Sequence, residues 1–97
     1  MATYVVLGKW TEQGIRNVKE TVTRFDERRA AIEQVGGRLV GTWWTRGAYD
    51  VILVLEAPDD ETVSAIALAG GMRGFTRTET MRAFTAEEMQ RIIQKLP

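Results

Sequence analysis

Tyr49 and Asp50, at the start of a strongly apolar run, carry side chains that could move a proton or anchor a ligand. A carboxylate can act as a base, and a phenol can pass a proton on. Glu56 places a second acid at the far end of the run. On a strand, Asp50 and Glu56 share one face but lie roughly 20 Å apart. This separation argues against a mechanism in which both acids act on one bond, and it leaves Asp50 and Tyr49 as separate catalytic candidates.

Arginines offer each of these acids a structural partner. Arg77 and Arg82 belong to a later strand-like segment, and either could pair with Asp50 or Glu56. We interpret the two acids mainly as members of such ion pairs, with Asp50 as a ligand anchor or base in a cavity as the alternative. Arg77 itself is a ligand-binding candidate, although its position two residues before Glu79 on one strand face favours a structural pair.

Arg29 is a charged side chain predicted to lie within an apolar helix stripe. The stripe is formed by apolar residues at helical spacing: Ile15, Val18, Val22, Phe25 and Ile32. A charge at that position must be paired or must extend its head group to water. A structural ion pair is our main interpretation of Arg29, and an anchor for an anionic ligand is the alternative.

Three aromatic side chains, Trp43, Trp44 and Tyr49, could form a wall for a planar ligand. Core packing and contacts between subunits are the default role of aromatic residues on a buried strand. Trp43 and Trp44 are adjacent, so on a strand they point to opposite faces of the sheet. All three are retained as ligand-binding candidates.

The composition narrows the possible chemistry. The chain has no cysteine and no histidine, which argues against a thiolate or histidine metal site and against a histidine-bound haem. We therefore predict no metal and no cofactor. Lys+Arg and Asp+Glu balance at 13 each, so neither a nucleic acid nor an anionic membrane is an expected partner. The N-terminus has no signal-peptide pattern, which predicts a cytoplasmic protein.

The periodicities predict four strands and three helices in one domain spanning residues 1–97. The predicted strands are 4–9, 38–45, 49–56 and 75–84, and the predicted helices are 15–35, 58–71 and 86–96. Thr11, the acids after Pro58 and the Thr85–Glu88 pair are predicted helix caps. A three-residue link, residues 46–48, predicts a hairpin between the second and third strands. The order predicts an α+β, ferredoxin-like βαββαβ fold with a C-terminal helix and a four-stranded antiparallel sheet.

One face of this sheet has no helix to cover it. The third strand is apolar on both faces, with Ile52 and Val54 on the same side as Asp50, and one of the two tryptophans must lie on the uncovered face. A large exposed apolar patch marks an interface or a ligand groove. We therefore predict a homodimer whose sheets face each other, with a ligand cavity between sheet and helix or between the sheets.

The segment Gly47-Ala48-Tyr49-Asp50 resembles the signature of the GYD-domain family. Further blocks resemble the family's pattern in the same order: Thr11-x-x-Gly14-x-x-Asn17, Gly36-Gly37, Glu56-Ala57-Pro58-Asp59-Asp60-Glu61, and Arg77-Thr78-x-Thr80-x-Arg82-Ala83-Phe84-Thr85. Phe75-Thr76 departs from it, since the family more often has Asn-Val there. The resemblance implies membership of the dimeric α/β-barrel superfamily, whose sheets pair across a dimer and which includes cofactor-free monooxygenases, lactone isomerases, haem enzymes and stress-response barrels.

These observations predict a small homodimeric ligand-binding or accessory protein. The alternative is a cofactor-free isomerase or monooxygenase acting on a small aromatic or polyketide-like molecule, in which Asp50 or Tyr49 handles the proton and an arginine holds the oxyanion. A scaffolding role in a larger assembly is a third hypothesis. The expected partners are a second copy of the chain and a small organic ligand.

Overall fold

The computed structural model describes all 97 residues and has the predicted ferredoxin-like α+β arrangement. The strands are β1 (Ala2–Trp10), β2 (Arg38–Trp44), β3 (Val51–Ala57) and β4 (Thr76–Ala83). The helices are α1 (Glu12–Arg16), α2 (Thr21–Gln34), α3 (Asp60–Met72) and α4 (Ala86–Ile93), with a 3-10 turn at Val18–Glu20. The strands form one antiparallel sheet in the order β2-β3-β1-β4.

The core lies between α2, α3 and one face of this sheet. Because side chains alternate along a strand, Tyr4 and Val6 of β1 and Leu53 and Leu55 of β3 all point to the helix side and are buried. Ile32 of α2 packs into the same cluster and is fully buried. The residues between them on β1 and β3 therefore point to the opposite face, which no helix covers.

The predicted first helix is broken into three pieces, so the expectation of one continuous helix over 15–35 is wrong. Thr11 caps α1 as predicted, because its hydroxyl accepts a hydrogen bond from the Gly14 amide at 3.0 Å. At Asn17 the side chain donates to the Gln13 carbonyl at 2.8 Å, and such local bonds compete with helix continuation. The break changes the helix phase: Ile15 and Val22, predicted to be inward, are exposed.

The link between β2 and β3 is longer than predicted. β2 ends at Trp44 and β3 begins at Val51, so residues 45–50 form the connection. Two hydrogen bonds close it: the Thr45 amide donates to the Asp50 carbonyl at 2.8 Å, and the Thr45 hydroxyl donates to the Tyr49 carbonyl at 2.6 Å. Gly47 has a φ of 136°, a conformation that favours glycine.

α3 also differs from its predicted extent. Asp59 caps it, accepting from the Thr62 amide at 2.8 Å. The helix continues through Gly70 and Gly71 to Met72 rather than ending at the glycines. Leu68, predicted to face the core, is 70% exposed.

α4 begins with the predicted capping box. The Thr85 hydroxyl accepts from the Glu88 amide at 3.1 Å, and the Glu88 carboxylate accepts from the Thr85 amide at 3.0 Å and from Arg82 at 3.0 Å. These bonds, the Thr85 amide first and Arg82 second, lower the pKa of Glu88 to about 2. No residue of α4 is buried, and its apolar residues Met89 and Ile93 are exposed.

The low pKa of Glu88 predicts a pH-dependent contribution to stability. A carboxyl whose pKa is lower in the folded state stabilises the fold above its unfolded pKa, and that contribution is lost as pH falls through the folded value. We expect the stability difference between the wild type and Glu88→Gln to be constant above about pH 4.5 and to shrink toward pH 2. Urea unfolding of both proteins at several pH values measures this difference in the free energy of unfolding. Glu87→Gln, on the same helix, is the control and should show no such loss.

No helix of the structure has both the length and the apolar character needed to cross a membrane. The cytoplasmic location stays a prediction.

Candidate functional site

A cavity of about 50 Å³ lies on the helix side of the sheet, between α2, α3 and the strands. Its walls are mainly apolar and include Val6, Phe25, Leu53, Ile66 and Phe75. Three arginines complete the lining: Arg24, Arg28 and Arg73. No acidic residue is part of the lining. The cavity therefore combines apolar walls with an excess of positive charge.

Arg24 is the most buried charged residue of the chain, with 7% of its surface exposed. Its Nη1 donates to the Asn17 carbonyl at 2.6 Å, and its guanidinium stacks on the Phe75 ring at 4.2 Å from the ring centroid. Its Nη2 is buried and has no hydrogen-bond partner. Buried polar groups are almost always satisfied, so this free donor is the most unusual polar atom in the cavity.

Arg28 and Arg73 add two positive charges close to Arg24. Arg28 Nη2 donates to the Ile66 carbonyl at 2.8 Å. Burial and, to a smaller degree, the charge of Arg73 lower the pKa of Arg28, although a guanidinium stays charged near neutral pH. Arg73 Nη2 pairs with Glu27 at 2.8 Å. One carboxylate thus offsets three guanidinium groups.

This arrangement can hold an anion but supplies no obvious base. The titratable side chains that line the cavity are the three arginines, and arginine does not give up its proton in proteins. No cluster of three or more acidic residues is placed to bind a metal ion.

Arg29 does not occupy the inward position that the sequence suggested. It is exposed, and its Nη1 donates to the Leu39 carbonyl at 3.2 Å instead of forming an ion pair. Sequence reasoning overlooked Arg24 and Arg28, which turn inward with Ile32. Their spacing was the available signal: residues 24, 28 and 32 recur every four positions and so share one helix face.

The two tryptophans point to opposite sides of the sheet, as predicted. Trp44 lies on the helix side, where its ring meets Phe25 edge-on at 5.8 Å and its Nε1 donates to Thr21 at 3.0 Å. Trp43 lies beside Ile52 on the uncovered face and is 52% exposed. Neither tryptophan lines the cavity.

The uncovered sheet face carries a continuous apolar patch, which we call the open face. Strand pairing places its members side by side across all four strands: Val5, Leu7, Trp43, Ile52, Val54 and Met81. Lys9, Arg77 and Glu79 lie at one end of this patch. An apolar centre with a polar margin is the usual anatomy of a protein interface.

A family model described as the GYD domain matches residues 4–93. The chain belongs to the GYD domain family.

Two proteins of Thermus thermophilus are similar to this GYD protein. One is named glutamine synthetase and cystathionine beta-lyase binding protein; it is 30% identical over 90 residues, covering 92% of this chain and 95% of that protein. The other is the crystal structure of TTHA0845, with a TM-score of 0.56 and 23% identity, covering 89% of this chain and 96% of that one. The second likeness supports the fold alone.

In this GYD protein the signature residues brace the end of the sheet. Asp50 Oδ2 accepts a hydrogen bond from the Trp10 amide at 2.9 Å, and the Asp50 amide donates to the Gly8 carbonyl at 2.8 Å. The Tyr49 hydroxyl donates to Glu79 at 2.7 Å, and this bond raises the pKa of Tyr49. Neither residue lines the cavity.

Of the two strand acids, Glu56 forms an ion pair with a strand arginine as predicted, but the partner is Arg38 of β2 rather than Arg77 or Arg82, and Asp50 forms no ion pair. Asp50 is bound to the backbone of Trp10, and Glu56 pairs with Arg38 at 2.5 Å. Arg82 instead pairs with Glu88 at 3.0 Å. The reason is sheet order, because β2 rather than β4 lies beside β3.

Arg77 is exposed and lies opposite Lys9 on the open face. A ligand-binding role for Arg29, Trp43, Trp44, Tyr49, Asp50 and Arg77, and a catalytic role for Asp50 or Tyr49, stay predictions.

Proposed function

We propose that this GYD protein is a homodimeric accessory protein that binds a partner enzyme and has no reaction of its own. The observation that carries the proposal is the open face. Fourteen large apolar side chains of the chain are exposed, Trp43 and Met81 of the open face among them, against ten apolar residues in the buried core. This imbalance is typical of a subunit that completes its burial in an assembly.

A second copy of the chain is the occupant that best fits the open face. Homo-oligomers with two-fold symmetry are the commonest soluble assemblies, and they pair one patch with itself. Four strands about 4.8 Å apart and seven residues long give a face of about 450 Å². Two such faces bury about 900 Å², short of the roughly 1,200–2,000 Å² of a stable interface.

α4 can supply the missing area. Its exposed apolar residues, Met89 and Ile93, are followed by the exposed Leu96, and none of them is buried within its own chain. In a dimer built on the open face, α4 can close over the partner and extend the interface. The helices α2 and α3 then remain outward and available to another protein.

The binding role rests on the Thermus relative, whose name describes binding to glutamine synthetase and cystathionine beta-lyase. The similarity extends over nearly the whole of both chains. It supports a related role for this protein in recognising a metabolic enzyme. The alternative, a cofactor-free isomerase or monooxygenase, has no comparable support, because Asp50 and Tyr49 are engaged by Trp10 and Glu79 outside the cavity.

Native mass spectrometry of the purified protein tests the assembly, and biolayer interferometry against glutamine synthetase and cystathionine beta-lyase from the same host tests the binding. We expect a dimer and saturable binding to at least one of these enzymes. A monomer at micromolar concentration would contradict the paired-sheet proposal. A dimer that binds neither enzyme would contradict the transferred partner but not the assembly.

A further inference from the structure

We propose that the cavity beside Arg24 is a binding site for a small monocarboxylate with a short apolar body. The site lies on the helix side of the sheet, away from the open face. The inference goes beyond the proposed function and holds whether or not a partner enzyme is found.

Arg24 carries an unmatched buried donor. Arg24 is 93% buried, since 7% of its surface is exposed, and its Nη2 has no hydrogen-bond partner. The other terminal nitrogen, Nη1, is already held by the Asn17 carbonyl at 2.6 Å. Leaving a buried charged donor unpaired is costly, and a bound acceptor removes that penalty. Arg24 lines the cavity, but Nη2 itself is fully covered by protein, so a small shift of the guanidinium must bring this donor to the ligand.

The charge around the cavity is positive. Arg28 and Arg73 also line the cavity, and the repulsion between them contributes to the lowered pKa of Arg28. Glu27 offsets only Arg73, at 2.8 Å. With three arginines and no acidic residue in the lining, an anion entering the cavity would meet positive charge and no lining carboxylate.

The size of the cavity and its apolar walls restrict the ligand that it can hold. A buried water needs about 10–15 Å³ of such space, so the 50 Å³ cavity holds about four waters, or a ligand of about four to six non-hydrogen atoms. Val6, Leu53 and Ile66 are among its apolar walls, and they suit a hydrocarbon body. A phosphate dianion would leave this apolar surface unmatched and would need more donors than Arg24 has free.

The ligand can reach the site from solvent. The Arg73 side chain is 32% exposed, so the arginine end of the cavity is in contact with bulk water. A carboxylate held there would lie near Arg24, with its apolar body directed between α3 and the sheet.

The test uses the intact protein and three probes: butyrate, the neutral isostere butyramide, and inorganic phosphate. Titration calorimetry gives the affinities, and NMR of the tryptophan indole N–H groups reports the location, since Trp10 lines the cavity and Trp43 does not. We expect butyrate to bind at least about tenfold more tightly than butyramide, as removal of a charge-assisted hydrogen bond predicts, and to shift the Trp10 resonance but not that of Trp43.

Arg24→Met should weaken butyrate binding by about tenfold or more, while Arg16→Met, at an exposed position on α1, should leave it unchanged. If Arg24→Met does not fold, the comparison of butyrate with butyramide on the wild type decides alone. Equal affinity for butyrate and butyramide, tighter binding of phosphate than of butyrate, or a shift of Trp43 without Trp10 would each overturn the proposal.

Discussion

The Gly14→Ala variant is expected to lose about 3 kcal/mol of unfolding free energy, at the upper end of what overpacking usually costs. Gly14 is buried in α1 and lies directly against the backbone of residue 75. A methyl group on Gly14 would overlap the Phe75 carbonyl oxygen and lie 2.9 Å from the carbonyl carbon. Because these are backbone atoms, no side-chain rotation can relieve the overlap.

The Phe75 carbonyl oxygen also accepts a hydrogen bond that the methyl group would disturb. It accepts the Thr11 amide at 3.1 Å, and the Thr11 hydroxyl donates to the neighbouring Gly74 carbonyl at 2.6 Å. These bonds fix the start of α1 to the segment before β4. Separation of the two segments would also displace the Phe75 ring on which Arg24 is stacked, so the damage would extend to the cavity.

Urea unfolding followed by circular dichroism measures the effect, and Gly71→Ala is the matched control. Gly71 is inside α3, and no atom lies within 4 Å of the position its methyl group would take. Alanine there should raise the unfolding free energy by about 0.5–1 kcal/mol, because it favours the helix over the unfolded chain. A Gly14→Ala variant that unfolds at the same urea concentration as the wild type would contradict the close approach of α1 to Phe75.

The Val54→Arg variant is expected to convert the proposed dimer into a folded monomer. Val54 lies on the open face, opposite Val5 of β1 and Gly41 of β2. In an isolated subunit an arginine there can extend to water and leave the fold intact. In a dimer, two unpaired guanidinium groups would be buried near the two-fold axis. Burying an unpaired charge costs about 3–5 kcal/mol, which weakens association by at least about a hundredfold.

Analytical ultracentrifugation over a concentration series measures this change, with circular dichroism to show that the monomer is folded. Val22→Arg is the control, since Val22 is exposed on α2 and far from the open face in the fold. We expect the control to sediment as the wild type does. A Val54→Arg protein that remains dimeric with unchanged affinity would show that the open face is not the interface.

The two surfaces described here have different chemistry and lie on opposite sides of one sheet. The open face is apolar at its centre and suits a second copy of the chain. The cavity is small, apolar and positively charged, and it suits an anionic ligand. β1 and β3 contribute alternate side chains to both, with Val5 and Val54 on the open face and Val6 and Leu53 on the cavity.

The sequence by itself determined the order of the elements and the helix caps. Thr11, Asp59 and Thr85 each accept a bond from an amide three residues later. These features depend on interactions within a few residues, so local spacing is sufficient to predict them. The apolar character of both faces of β3 was equally readable, and in the structure its helix-side residues are buried while its open-face residues are half-buried.

Only the tertiary structure decided which charged side chains meet. The chain breaks at Asn17 between α1 and α2, and Arg24 rather than Arg29 lies on the buried face of α2; the four-residue spacing groups Arg24 with Ile32, but it does not say which helix face turns inward. Asp50 accepts a hydrogen bond from the amide of Trp10, 40 residues away, because the β1–β3 register places the two residues together. The sequence gives the chemistry of each side chain. Which side chains come together at a site depends on which face each helix turns inward and on how the strands are paired, and long-range packing sets both.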